Sequence, residues 1–179
     1  NVEKDYIYKC EDLVFEEGSV EALKTFKNLG YILIVVSNQS GIARGYFTEE
    51  DLNIFNNNMN EILKKNGVEI TEFYCCPHHP DGLAEYKKVC DCRKPNNKML
   101  EDAIEKYNID REKSYMIGDK TSDIGAGLKS NLKTVLVKTG YGLKDMEKVD
   151  KNETLIYENL KDFSEILKRE KLNELIFEE

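Results

Sequence analysis

Two rhythms of apolar residues alternate along the chain. Over residues 19–29 (SVEALKTFKNL), Val20, Leu23, Phe26 and Lys27 or Leu29 recur at helical spacing, with Ser19 placed to cap the first turn and Gly30 to stop the last. Residues 31–37 (YILIVVS) form a short β-branched run that reads as a strand buried on both faces. Thr48, three residues before Asp51, predicts a capping box opening a helix that carries Leu52, Phe55, Met59, Ile62 and Leu63 and ends at Asn66-Gly67. Further strands are predicted at 70–75, 114–117, 134–138 and, more weakly, 154–157. Further helices are predicted from Pro95, with Met99, Leu100, Ala103 and Ile104 on one face, over 122–130, and from Leu160 onward.

Strands alternating with helices indicate βαβ units. The expected fold class is α/β, a Rossmann-like three-layer fold with a mostly parallel sheet, in one domain spanning 1–179. In such sheets ligands sit beyond the carboxyl ends of the strands. Ser37-Asn38-Gln39 and Asp119-Lys120 are therefore where chemistry is sought. Asp119 and Asp123, one helical turn apart, could together hold Mg²⁺, which prefers oxygen ligands, although an Asp after a strand also serves as a helix cap. Ser37 with its following N–H groups suits phosphate oxygens, or simply caps a turn. Lys94, just before Pro95, lies at the positive end of a predicted helix dipole. That is an unfavourable place for a cation unless an anion shares it; the alternative is a solvated lysine.

Charge and composition narrow the partners. The formal net charge of the 179 residues is −8, with no basic block, which argues against nucleic acid and against an anionic membrane surface. No run approaches the ~18 apolar residues of a membrane span, and the start shows no signal-peptide pattern. A small anionic substrate held by a few local cations remains compatible. The chain begins with Asn1 rather than Met, so an upstream segment is expected.

Cys75, Cys76, Cys90 and Cys92 lie close together and share their segment with His78 and His79, while Cys10 stands apart. An odd cysteine number without a secretory start fits a reducing compartment, and the cluster reads first as metal ligands. Cys76-x-His78 and Cys90-x-Cys92 supply four ligand types suited to tetrahedral Zn²⁺. In an extended backbone, Cys75 and His79 would point away. The alternative is a set of reduced thiols. Other catalytic templates fail on spacing: no Cys is followed six residues later by Arg, no Walker A motif occurs, and Ser130 stands where a dinucleotide fingerprint needs its third glycine.

The segments VVSNQSGIARGYFTEED at 35–51, FYCCPHHPDG at 73–82, VCDCRKPNNKML at 89–100 and MIGDKTSDI at 116–124 occur in an order and spacing that resemble the haloacid dehalogenase superfamily. Within it they are similar to the D-glycero-D-manno-heptose 1,7-bisphosphate phosphatases of the histidinol-phosphatase-like branch. The likeness covers roughly residues 1–145. It implies an Mg²⁺-dependent phosphatase of a small phosphorylated sugar, acting on the 7-phosphate of heptose 1,7-bisphosphate for surface polysaccharide (lipopolysaccharide) precursors. The enzyme would be cytoplasmic and monomeric, with structural Zn²⁺ in a loop that replaces a large cap domain. Histidinol phosphate is the alternative substrate. Residue by residue, it implies that Ser37 bonds the transferring phosphoryl group and Lys94 neutralises it. Asn38, Gln39 and Ser40 continue the substrate loop, and Arg93 and Lys120 contact substrate. Asp119 binds Mg²⁺, Glu3, Lys4, Asp5 and Tyr6 line the sugar side, and Cys76, His78, Cys90 and Cys92 bind Zn²⁺.

One departure is chemical. The family carries its nucleophile and its acid/base on a strand ending in Asp-x-Asp-Gly, just upstream of the position matching Asn1 and central to the sheet. No Asp-x-Asp-Gly occurs in the 179 residues. The expectation is a fragment whose parent holds that strand. A zinc-stabilised scaffold without activity is the alternative if the motif is absent from the gene.

Overall fold

The structure, a computed structural model, describes residues 6–177. In chain order the longer elements are α1 (Ser19–Asn28), β1 (Ile34–Asn38), α2 (Ser40–Ala43), α3 (Glu49–Lys65), β2 (Glu72–Cys76), α4 (Lys98–Tyr107), β3 (Tyr115–Gly118), α5 (Thr121–Lys129), β4 (Lys133–Val137), α6 (Gly142–Asp145), β5 (Thr154–Tyr157) and α7 (Leu160–Phe177). The capping box forms as its spacing predicts. Thr48 Oγ1 accepts from the Asp51 N–H at 3.1 Å, and Asp51 Oδ2 accepts from the Thr48 N–H at 2.8 Å. Thr48 thus satisfies donors that the first turn of α3 cannot pair internally.

All strand pairs are parallel: β1 with β2, β3 with β4, and β4 with β5. Side-chain alternation sends successive residues to opposite faces and makes three layers. On β3, Tyr115 and Ile117 pack toward Phe26 of α1 and Phe163 and Leu167 of α7, while Met116 packs toward Leu100 of α4 and Ala126 of α5. On β1, Val35 packs with Leu63 of α3 and Val36 packs on the α4–α5 side. Each such apolar side chain taken from water contributes about 1.5–3 kcal/mol. α5 lies close on the sheet because Gly127 has no side chain; a Cβ there would sit 2.7 Å from Met116 Cβ and 2.8 Å from Thr134 Cγ2.

The strands fall into two sheets, β1-β2 and β3-β4-β5. Because Val36 and Met116 face the same helices, the two sheets are halves of one platform, with β1 and β3 as their facing edges. Among the described residues no strand lies between them. A cavity of about 850 Å³, largely apolar, occupies the gap and is bordered by Ile34, Val35 and Val36 on one side and Tyr115 and Ile117 on the other.

This gap corrects one expectation: the run 31–37 was expected to be buried on both faces, yet every residue of β1 is only half-buried. In β4, which has a neighbour on each side, Thr134, Val135, Leu136 and Val137 are all buried. Two cap predictions also differ. Gly18 rather than Ser19 precedes α1, and Ser19 Oγ is buried with no hydrogen-bond partner among the described residues. α4 begins at Lys98, not at Pro95: the Asn96 N–H donates to Arg93 O in a turn, and the Lys94 backbone is bonded elsewhere. Lys94 is therefore not held against a helix dipole, and the electrostatic reason first given for an anion beside it does not apply. No helix among the described residues is long and apolar enough to cross a membrane.

Candidate active site and metal centre

β1 delivers Ser37 and Asn38 to its carboxyl end, and Gln39 turns the chain into α2. Gln39 Nε2 donates to Ser37 Oγ at 2.9 Å. The Ser37 oxygen is thereby used as an acceptor, so its own proton is directed elsewhere, as a donor to an anion requires. Asn38 faces the loop before α4. Its Oδ1 accepts from the Lys94 N–H at 3.0 Å, and its Nδ2 donates to Lys94 O at 3.0 Å. The Asn38 side chain thus holds Lys94 in place, a use the substrate-loop assignment did not foresee. Ser40 is the first residue of α2 and half-buried.

Lys94 reaches inward from this anchor. Its Nζ donates to Val36 O at 2.5 Å and pairs with Asp123 Oδ1 at 2.7 Å, both side chains being less than a tenth exposed. Asp123 Oδ2 accepts from the Lys120 N–H at 3.0 Å. Both Asp123 oxygens are thus committed, and the earlier pairing of Asp123 with Asp119 as a shared Mg²⁺ site is replaced by a role as counter-ion of Lys94. Sequence spacing put Asp123 one turn from Asp119 but carried no sign of Lys94, which arrives from a different loop.

Asp119 follows β3. Its Oδ2 accepts from the Tyr141 N–H at 3.0 Å, while Oδ1 has no partner among the described residues. One free carboxylate oxygen at a strand end fits a Mg²⁺ ligand, since Mg²⁺ is held by few protein oxygens and keeps several waters. The contacts Ser37–Gln39, Val36–Lys94–Asp123 and Asp123–Lys120 bring Ser37, Lys94 and Asp119 to one end of the platform, beside the gap between β1 and β3.

The cysteine and histidine ligands come together in the long connection between β2 and α4. Ligand atoms of Cys76, His78, Cys90 and Cys92 all lie within 4.8 Å of one another. Sγ–Sγ distances are 3.5 Å for Cys76–Cys90, 3.1 Å for Cys76–Cys92 and 3.2 Å for Cys90–Cys92; His78 Nδ1 is 3.3 Å from Cys92 Sγ and 3.7 Å from Cys76 Sγ. A tetrahedron with Zn–S of about 2.3 Å has edges of about 3.8 Å, so this donor set and spacing fit zinc. Burial pushes the Cys76 thiol up and the His78 imidazole down. Cys75 and His79 stand outside the cluster. Cys75 Sγ lies 3.9 Å from Asn56 Nδ2, and His79 Nδ1 accepts from the Asp81 N–H at 3.1 Å.

Side-chain contacts to the backbone tie this cluster to the loop that carries Lys94. Arg93 donates to His78 O at 3.2 Å, and Asn96 Nδ2 donates to Cys90 O at 3.0 Å, on either side of Lys94. Tyr6 packs against Tyr46 with ring centroids 4.8 Å apart, next to Gly41 of α2. Glu3, Lys4 and Asp5, assigned to the sugar side, lie outside the described residues.

The HAD-hydrolase-like family matches residues 91–163. A D-glycero-beta-D-manno-heptose-1,7-bisphosphate 7-phosphatase of Pasteurella multocida is 42% identical over 169 residues, 94% of this chain and 91% of that one. Among solved structures, D,D-heptose 1,7-bisphosphate phosphatase from B. bronchiseptica, complexed with magnesium and phosphate, superposes with a TM-score of 0.86 at 28% identity, covering 95% of this chain and 93% of its own. The D,D-heptose 1,7-bisphosphate phosphatase from Burkholderia thailandensis gives a TM-score of 0.68 at 25% identity over 88% of each chain. With identity of this order across nearly its whole length, and with the segments at 35–51, 73–82, 89–100 and 116–124 meeting in space as one site, the chain belongs to the D-glycero-beta-D-manno-heptose-1,7-bisphosphate 7-phosphatase family of haloacid-dehalogenase-like hydrolases.

Proposed function

We propose that this protein is a magnesium-dependent phosphatase that removes the 7-phosphate of heptose 1,7-bisphosphate. The observation that carries this reading is the Lys94 ammonium, nearly buried between Val36 O and Asp123, at the end of the platform shared by the Ser37 hydroxyl and Asp119. Two of the three N–H donors of this ammonium are taken by Val36 O and Asp123, which leaves one for an anion, and fixed charges aimed at a transferring phosphoryl group are the main catalytic term in such reactions. Ser37, its oxygen already accepting from Gln39, donates its proton to a phosphoryl oxygen. Lys94 neutralises charge on the same group, and Arg93 faces the remainder of the substrate. Asp119, through Oδ1, would hold Mg²⁺, which supplies further neutralisation of phosphoryl charge. Cys76, His78, Cys90 and Cys92 would hold Zn²⁺ in a purely structural role, because four protein ligands leave no position for water.

The names of the relatives support heptose 1,7-bisphosphate as the substrate, and the magnesium and phosphate in the B. bronchiseptica structure support the metal and the phosphate product. The five free thiols suit the cytoplasm as its compartment. The test is phosphate release with the nucleophile strand supplied ahead of Asn1. Heptose 1,7-bisphosphate should be hydrolysed only with Mg²⁺ and far faster than histidinol phosphate. Preference for histidinol phosphate would overturn the substrate, and no dependence on Mg²⁺ would overturn the metal.

A further inference from the structure

Beside Asp119, the segment following β4 wraps the carboxylate closely. A Cβ on Gly140, whose φ is +61°, would lie 2.4 Å from Asp119 Oδ2, and the next residue, Tyr141, donates its N–H to that oxygen. The Tyr141 ring lies alongside. Lys120 Nζ sits 3.9 Å from its centroid and Lys144 Nζ 5.7 Å from it. Neither ammonium is ion-paired with a carboxylate among the described residues, although the chain as a whole is acidic. Lys94, by contrast, is inward and committed to Asp123. Two groups of cations therefore lie near Asp119: the nearly buried Lys94 and an exposed pair, Lys120 and Lys144, gathered at one aromatic ring.

We propose that Tyr141 is a positioning residue for a second anion site, in which its ring holds Lys120, with Lys144, toward the phosphate that is not hydrolysed. This rests on the bisphosphate reading above and names the residue that sets its second contact. The physical basis is that a lysine side chain has four rotatable bonds and loses much freedom when it grips an anion. An aromatic face that attracts the ammonium before the ligand arrives removes part of that cost. Contacts of this kind at exposed positions are worth about a two- to fivefold change in affinity. The same residue acts on Asp119 through its backbone, holding Oδ2 so that Oδ1 is the oxygen left free, and that contact is independent of the side chain.

The test uses the full chain and calorimetric titration with heptose 1-phosphate, which keeps only the second phosphate, and with inorganic phosphate. Tyr141→Leu should weaken heptose 1-phosphate about two- to fivefold and leave inorganic phosphate unchanged. Tyr141→Phe, which keeps the aromatic face, should bind both as wild type does. Lys144→Gln should weaken heptose 1-phosphate by a smaller factor. Matched thermal unfolding of the Leu and Phe variants separates this from a packing defect. If Tyr141→Leu binds like wild type, or if Tyr141→Phe loses as much as Leu, the assignment of the ring is overturned while the bisphosphate reading stands. If the wild-type chain binds no heptose phosphate at all, both are overturned.

Discussion

The side-chain amide of Asn38 closes on the backbone of Lys94 from both ends, accepting its N–H and donating to its carbonyl, each at 3.0 Å. Fifty-six positions separate the two residues in sequence. The bond pair joins the carboxyl end of β1 to the loop that leads from the cysteine cluster into α4. It thereby fixes the main chain from which Lys94 reaches Val36 O and Asp123.

Asn38→Ala should therefore act through Lys94. Two partly buried hydrogen bonds are lost, so unfolding should become easier by about 1–3 kcal/mol. Phosphate affinity should fall along with stability. Asn38→Asp should do as badly, because a carboxylate can accept from the Lys94 N–H but faces the Lys94 carbonyl with no donor. Lys94→Ala should lower kcat about 10²- to 10³-fold where turnover is measurable. Thermal unfolding and phosphate titration of the three variants check this, and an Asn38→Ala chain with normal phosphate affinity would refute the link.

A polypeptide of these 179 residues by itself should show no turnover. Ser37, Lys94 and Asp119 would stabilise charge, but none is placed as an in-line nucleophile, and the one buried carboxylate among the described residues, Asp123, is paired with Lys94. Fusing ahead of Asn1 an apolar strand ending in Asp-x-Asp-Gly should restore activity, since the gap between β1 and β3 is lined by apolar side chains and bordered by Asp119 and by Val36, whose carbonyl holds Lys94. It should also raise the unfolding midpoint. Hydrolysis by the unfused chain above a Lys94→Ala control would show that another carboxylate attacks.

Zinc content should be one equivalent per chain. Cys92→Ser should lose it and Cys75→Ser should keep it, because Cys92 Sγ lies within 3.3 Å of all three partner ligand atoms while Cys75 points to Asn56. Binding should weaken as pH falls, since the thiols must give up protons to bind the ion. Loss of zinc should also reduce phosphate affinity, because Arg93 and Asn96 tie the cluster to the residues flanking Lys94. Metal analysis of both variants decides the ligand set; zinc retained by Cys92→Ser would overturn it.

Acid should weaken one contact in a calculable direction. The Arg111 guanidinium grips both Glu101 oxygens, at 2.9 and 2.6 Å, and this contact first, with further hydrogen bonds, lowers the Glu101 pKa from 4.5 to about 2. A depressed carboxylate pKa contributes stability that is complete above about 4.5 and is lost as pH falls toward 2. The pair is more than a third exposed, so water and salt screen it and its contribution is small. Arg111→Met should therefore be less stable than wild type near neutrality, and the difference should shrink between pH 4.5 and 2. Urea unfolding of both proteins at several pH values gives the comparison, and a constant difference would exclude the ion pair as its source.

Local patterns alone determined the order of the strands and of the longer helices, though not the short α2 and α6, together with the parallel sense of the pairing and the carboxyl-end location of Ser37 and Asp119. The physical reason is that side-chain periodicity and caps such as Thr48–Asp51 are satisfied within a few residues. The cluster of candidate metal ligands was legible for a similar reason: cysteine and histidine at short spacings have few other uses, and the segment carries two such pairs. Only tertiary structure decided what the remaining polar residues do. Asp119 and Asp123 look alike in sequence, yet one keeps a free oxygen and the other is consumed by Lys94. Asn38 carries no sign in sequence of the loop bearing Lys94, which its side chain holds from both ends. Pro95 looked like a helix start because its ring suits one, but the hydrogen bonds of Lys94 and Asn96 hold that stretch in a turn. In each case the deciding partner comes from another element, and the free energy of a polar side chain depends on which donor or acceptor the fold brings to it.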